Sequence, residues 1–219
     1  MAFTVIDALR ANLVFRGIRF LPEDSDFDDF REAMQTEVIR RTEVVDDQQR
    51  IDVMLMSRER TSLLLGGDGS QIERQHPDRD DLALLADATS TCIDKSTLGE
   101  DEVPEAYGYN MELVFDQDSE IPAGEYLASQ MLGEALASSG VPWKSTSGGF
   151  DLRLEEEGRT WTFQVEPRFW EKDTTRVFVK VNHHRDEQTL PSRHEILADL
   201  ELTWDRSHML LNSIAQGGR

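Results

Sequence analysis

GFDLRLEEEGRTWTFQV (149–165) contains Glu157-Gly158, a two-residue turn between two alternating runs. Closing the turn there sets Glu156 against Arg159, Leu154 against Trp161, Leu152 against Phe163 and Phe150 against Val165. One face then carries Phe150, Leu152, Leu154, Trp161, Phe163 and Val165. The other carries Asp151, Arg153, Glu155, Thr160, Thr162 and Gln164. Side chains alternate along a strand, so a register in which both strands agree on the dry side predicts a half-buried β-hairpin.

The hairpin has an echo upstream in RIDVMLMSRERTSLLLG (50–66). Ile51, Asp52, Val53 and Leu55 fall on Phe150, Asp151, Leu152 and Leu154, and Arg60-Thr61 falls on Arg159-Thr160. Outside the hairpin, NLVF (12–15) matches ELVF (112–115), and PDRDDLALLADAT (77–89) matches PSRHEILADLELT (191–203). The matches come in the same order in both halves, which predicts a tandem duplication. The interval before the last match is longer in the second half, and the insertion placed there carries an extra strand in DTTRVFVKVNHH (173–184). The repeats are expected over residues 1–94 and 107–219, joined by an acidic linker over 95–106.

Within the first repeat, 13–20 predicts a strand with a bulge at Gly17, because Leu13 and Phe15 are out of phase with Ile18 and Phe20. A helix is expected next, capped by Ser25 and Asp28, with Phe27, Phe30, Met34 and Val38 on its apolar side. GGDGS (66–70) lacks the lysine and spacing of a phosphate loop and predicts a wide turn. A helix is expected over about 80–93, with Cys92 on its apolar stripe. The second repeat predicts a strand at 109–115, a helix at 124–138, the hairpin, the extra strand at 175–183 and a long last helix. Ser192 and Glu195 open that helix as a capping box, and Leu197, Leu200, Trp204, Ser207, Leu211 and Ile214 form its stripe. Each half therefore reads β-α-β-β-(β)-α, an α+β fold with an antiparallel sheet and helices on one face. This order is similar to the tandem architecture of TATA-box-binding proteins and to helix-grip folds, in element order alone.

Forty-three acidic side chains against 23 basic give a net charge of −20. On that balance nucleic acid and anionic membrane are not expected as partners. No apolar run is long enough to span a bilayer, residues 1–20 lack the basic region, apolar run and cleavage site of a signal peptide, and with a single cysteine a cytoplasmic protein is expected. Neither G-x-S-x-G nor H-E-x-x-H occurs, so no catalytic residue is assigned and an enzyme is not the leading reading. No cofactor and no metal are expected. Asp24, Asp26 and Asp28 lack the glycine and glutamate of a calcium loop; His183 and His184 are adjacent on a strand and point apart. The first hairpin, in the register of the second, puts Met54, Met56, Leu63 and Leu65 on its outward face. That apolar patch suggests a non-enzymatic binding module that docks a protein partner or a second copy of itself. The alternative is a small-molecule carrier or enzyme with a pocket between the second-repeat sheet and the C-terminal helix, near Trp170, His183 and His184.

Overall fold

The computed structural model describes residues 2–20, 36–40, 51–57, 60–66, 69–96, 98, 103–138, 147–156 and 158–217. Among them are nine strands: β1 (Phe3–Arg16), β2 (Thr36–Arg40), β3 (Ile51–Ser57), β4 (Thr61–Gly66), β5 (Gly69–Gln75), β6 (Ala106–Gln117), β7 (Phe150–Glu156), β8 (Arg159–Pro167) and β9 (Arg176–Arg185). Three α-helices accompany them: α1 (Leu82–Lys95), α2 (Ala123–Ser138) and α3 (Arg193–Gly217). All nine strands form one antiparallel sheet in the order β2-β3-β4-β5-β1-β6-β9-β8-β7. The expected mixed α+β class, with an antiparallel sheet, is therefore the one observed.

The hairpin of the second half has the expected register, with Phe150 opposite Val165, Leu152 opposite Phe163, Leu154 opposite Trp161 and Glu156 opposite Arg159. Gly158 closes its turn at φ +76°, a conformation that disfavours side chains. The first hairpin differs by one residue. The copied register pairs Val53 with Leu64, whereas Val53 faces Leu65 and Leu55 faces Leu63, with an irregularity between Ile51 and Val53. A one-residue slip reverses the faces of a strand. Here it brings Leu63, fully buried, into line with Ile72, Leu13, Tyr109, His183, Trp161 and Leu154, a row that crosses seven strands on the inward face.

That face is the core. Phe15, Tyr107, Met111, Leu113, Phe115, Val177, Val179, Val181, Phe163 and Val165 share its phase and are buried. α3 lies against β1, β6 and β9, α1 packs on α3 and β5, and α2 packs on β8. Ile196, Leu200, Thr203, Ser207 and Leu211 form the buried line of α3. Its start is the expected capping box: the Ser192 amide and hydroxyl both donate to Glu195 Oε2, at 2.8 and 2.7 Å. Along α1, Leu82, Leu85, Ala86, Thr89 and Cys92 are buried at helical spacing, and burial pushes the Cys92 thiol up to about 12. Arg79 pairs with Asp205 at 2.9 Å, and Arg193 pairs with Asp87, tying α1 to α3.

Several local expectations are corrected. The first strand runs from Phe3 to Arg16 instead of 13–20, with its irregularities between Val5 and Asp7 and between Ala8 and Arg10. Gly17, at φ +74°, ends the strand instead of bulging it. Most of the expected helix at 22–38 lies outside the described residues, but Val38 sits in β2, paired with β3. GGDGS is no wide turn: Gly66 pairs with Gly69, and Gly69 and Ser70 already belong to β5. β5 was hidden because SQIERQ is polar. Its Ser70, Glu73 and Arg74 are nonetheless buried, with Arg74 donating to Thr61 and to Asp81, each at 3.0 Å. The third strand after the helix position is thus present in the first half as well as the second.

Candidate functional site

His183 and His184 are neighbours on β9 and do point apart, so two different environments form on the two faces of the sheet.

On the inward face, His183 is fully buried between Trp161, stacked at 3.9 Å between ring centroids, and Tyr109 at 5.3 Å. The Thr203 hydroxyl donates to the Asp199 carbonyl at 2.6 Å, so it accepts from His183 Nδ1 at 3.1 Å. That fixes the proton on Nδ1. Nε2 meets no partner among the described residues. A second proton would sit there unpaired, in a site flanked by two guanidiniums. Burial first, and then the charges of Arg159 and Arg185, lower the imidazole to about 3. Beside it, Asp199 accepts ion pairs from Arg159 and Arg185, each at 3.2 Å, and Arg185 also reaches Glu187 at 3.0 Å. Burial pushes the Asp199 carboxyl up while the two guanidiniums pull it back. Tyr107 donates to Glu187 at 3.0 Å, and burial raises both its phenol and that of Tyr109. This network fastens α3 to β6, β8 and β9.

The consequence is a pH dependence with a definite sign. Unfolded, His183 titrates near 6.5; folded, near 3. Above pH 7.5 both states are neutral and the residue contributes nothing to the slope. As pH falls below 6.5 the unfolded chain takes up a proton that the native site refuses. Stability then declines by up to about 1.4 kcal/mol per pH unit until about pH 3. The facing groups are Trp161, Tyr109, Thr203, Arg159, Arg185 and Asp199, with His184 adjacent in the chain. Urea unfolding at pH 7.5, 6 and 5 is expected to show a shallower decline for His183→Phe than for the wild type; equal slopes would place the titration elsewhere.

The outward face is more polar and is partly covered: Val114 and Asn12 are buried there, while Asn110, Asn182 and His184 are half-buried. Asn12, Asn110 and Asn182 stand side by side on β1, β6 and β9. Asn182 donates to Asn110 at 2.6 Å, and Asn110 donates to Asn12 at 2.8 Å. Next to this row, Val14, Gly108 and His184 form another. Gly108 has no side chain, and a Cβ there would meet the His183 carbonyl oxygen at 3.2 Å. The result is a recess of about 220 Å³ in the middle of the sheet, lined by Arg16, Tyr107, Gly108, Asn110, Asn182 and His184. The charges around it are unequal in their freedom. Arg10 holds both Glu73 and Glu112, His184 is bonded to Asp186 at 2.8 Å, and Glu166 accepts from Trp170 and Gln164. Arg16 and Lys180 are exposed and make no ion pair among the described residues.

The expected sites fare differently. Trp170, His183 and His184 are not brought together: His183 is in the core, His184 rims the recess, and Trp170 is 55% exposed beyond the far end of β8. A groove of about 420 Å³ lies between the second hairpin and α3, lined by Leu154, Trp161, Phe163, Arg206, Met209 and Leu210, and none of those three residues lines it. Of the apolar patch expected on the first hairpin, Leu63 is turned inward and fully buried. The side chains of Met54, Met56 and Leu65 lie outside the described residues. By register Met54 faces Leu64, one position out of phase with Leu63. Sequence reasoning missed the asparagine row. Its signal was the outward phase of RANLVFR (10–16), YNME (109–112) and KVNHH (180–184), where asparagine recurs opposite buried apolar neighbours.

No family model matches the chain, and no curated protein matches it. Among solved structures it is similar to a rolling circle replication initiator protein from Geobacillus stearothermophilus, at 7% identity and a TM-score of 0.31, over 99% of this chain and 80% of that one. The expectation of a non-enzymatic protein-interaction module, with nucleic acid excluded as a partner, is corrected by this neighbour, which is a replication protein. A likeness of this size assigns no activity. No helix among the described residues is long and apolar enough to cross a membrane.

Proposed function

We propose that the outward sheet face is a ligand-binding surface centred on the recess over Gly108, and that its ligand is a nucleotide, free or within a strand. The observation that carries this reading is the row Asn12–Asn110–Asn182 beside a recess that Gly108 opens and Arg16 and His184 rim. The bonds along the row use the Asn110 carboxamide at both ends and Asn12 is buried, so the half-buried Asn182 at the recess is the amide placed to present a donor and an acceptor in one plane to the edge of a base. The glycine lets a flat ring approach the backbone. Arg16 supplies the forked cation that phosphate binds, and Lys180 a second charge. Of the acids nearby, Glu73 and Glu112 are engaged by Arg10, Asp186 by His184 and Glu166 by Trp170 and Gln164, while Glu105 stands exposed beside Arg16. The net charge of −20 repels a polyanion at long range, but at 0.15 M salt that field decays over about 8 Å. Local contacts therefore decide.

Equilibrium dialysis of adenosine and cytidine monophosphates at 0.15 M salt tests the reading. Saturable binding is expected for at least one, weakened about tenfold by Arg16→Ala, the scale of one charged hydrogen bond. Absence of saturable binding, or binding indifferent to both Arg16→Ala and Asn182→Ala, overturns it.

We also infer that the two halves arose by duplication, with residues 1–94 and 107–219 as the repeats and 95–106 between them. The strand order supports this: β3-β4-β5-β1 on one side of the centre is answered by β6-β9-β8-β7 on the other. β1 and β6 meet at the middle, and each is flanked by the last strand of its own half's β-meander, β5 or β9.

A further inference from the structure

The segment between β8 and β9 holds an unusual turn. Phe169 and Trp170 occupy successive left-handed conformations, at φ +50° and +54°. Bulky side chains are rarely found there, and neither residue is a glycine that would adopt it freely. Both rings are also exposed, Phe169 by 62% and Trp170 by 55%. Strained backbone and unburied aromatic surface are two separate costs. The rings are nevertheless held. Trp170 Nε1 donates to Glu166 Oε2 at 3.1 Å, and the Arg168 guanidinium lies 5.2 Å from the centre of the Phe169 ring.

Glu166 fixes which side of the sheet this turn serves. Val165 and Pro167 are buried on the inward face, so Glu166 between them points outward, beside Gln164, which donates to the same carboxylate at 3.3 Å. Trp170 is therefore tethered to the face that carries the recess. Glu166 pairs with Phe178 on β9, and six residues further along that strand His184 rims the recess. At about 3.3 Å per residue the separation is about 20 Å. Lys180 and Asn182 lie on the line between them, both outward.

We propose that Phe169 and Trp170 form a base-stacking platform, and that the ligand of the outward face is a single-stranded nucleic acid running from the recess, past Asn182 and Lys180, to this turn. The inference rests on the nucleotide reading of the recess and narrows its ligand to a strand. Any base presents a flat face to an exposed indole or phenyl ring, so such a platform is tolerant of sequence. Arg168 beside the ring and Lys180 along the track answer the phosphates. A span of about 20 Å corresponds to about six nucleotides at the 3.4 Å stacked spacing.

The test uses the full chain and homopolymeric deoxythymidine oligonucleotides of one, two, four, six and ten residues, followed by fluorescence anisotropy at 0.15 M salt. Affinity is expected to climb with length and level off near six. Trp170→Ala should reduce hexamer affinity about tenfold to a hundredfold, the range of one lost base stack, and bring it towards that of the mononucleotide. Trp170→Phe, which keeps an aromatic face, should restore most of it. Circular dichroism confirms that each variant is folded, which the exposure of the side chain favours. Mononucleotide binding with no gain on lengthening, or a hexamer indifferent to Trp170→Ala, overturns the strand proposal and leaves the recess reading intact. Absence of saturable binding of both adenosine and cytidine monophosphates overturns the recess and the strand proposal with it. A neutral oligosaccharide that binds the wild type and is lost in Trp170→Ala would assign the platform to a different ligand and overturn both.

Discussion

Asp199→Ala is expected to cost about 3–5 kcal/mol of unfolding free energy, the largest loss from any single polar side chain described here. Asp199 is 3% exposed and, among the described residues, is the acid shared by Arg159 and Arg185. The large penalty is not the worth of the ion pairs as such. Taking charges out of water is expensive, and their mutual attraction roughly offsets that expense. Removing the carboxylate leaves two guanidiniums facing each other across a mostly buried gap, next to an imidazole whose neutrality already reflects their charge. For a chain of this length the midpoint of thermal unfolding should fall by about 10 °C. The exposed pair Arg153–Glu155, at 3.5 Å with side chains 68% and 74% exposed, provides the contrast. Glu155→Ala should change stability by less than about 1 kcal/mol. Comparable losses in the two variants, measured by urea unfolding at pH 7.5, would remove the network from its place as the fastening of α3.

Its residues also show where sequence reasoning stopped. Alternation placed the second hairpin correctly to the residue, because both of its strands separate apolar from polar positions and a glycine marks the turn. The first hairpin has apolar residues on both phases, Met54 and Met56 as well as Val53 and Leu55, so its pattern does not choose a register. The register came from outside, from Ile72 and Leu13, which give Leu63 a row to join. β5 went unseen for the opposite reason: Glu73 and Arg74 look solvated until Asp81, Thr61 and Arg10 are brought to them by the fold. His183 was legible as pointing away from His184. Its burial was not, since nothing local says that Trp161 and Tyr109 arrive on either side. Charge was the least informative guide. A total of −20 says nothing about which cations are spent in ion pairs and which, like Arg16 and Lys180, make none among the described residues.

The two faces of the sheet divide the work between them. Inward positions of β6, β8 and β9 hold the core and the Asp199 network; outward positions of the same strands hold the amides, the recess and the approach to Trp170. Because adjacent residues serve opposite faces, a substitution at His184 or Asn182 can change the surface without entering the core, while its neighbour His183 cannot be altered without repacking Trp161 and Tyr109. That separation makes the surface tests interpretable: Arg16→Ala, Asn182→Ala and Trp170→Ala all alter outward side chains and leave the inward rows alone.

Gly69→Ala should be among the most damaging single-methyl changes available, for a reason that its place in GGDGS conceals. Its neighbourhood suggests a turn glycine chosen for backbone freedom. In the fold it is a paired strand residue opposite Arg16, and an added Cβ would lie 2.3 Å from the carbonyl oxygen of Phe15. That oxygen cannot give way cheaply. It belongs to β1, which is bonded on its other edge to β6, and the Phe15 ring is fully buried against Phe20 and Tyr107. Pushing β5 away instead would break the Ser70 hydroxyl's bonds with the Phe20 amide at 2.9 Å and the Ile18 carbonyl at 3.1 Å, both buried. Overpacking of this kind costs about 3 kcal/mol or more when backbone must move. Gly158 is the reverse case: its φ of +76° is unfavourable for alanine, but nothing lies within 4 Å of a Cβ there. Gly158→Ala should therefore cost only the conformational penalty, about 1–2 kcal/mol. The ordering of the two variants in urea is the decisive reading. If Gly158→Ala proved the more damaging, the close approach of β5 to β1, and with it the junction through which the first half joins the centre of the sheet, would be wrongly drawn.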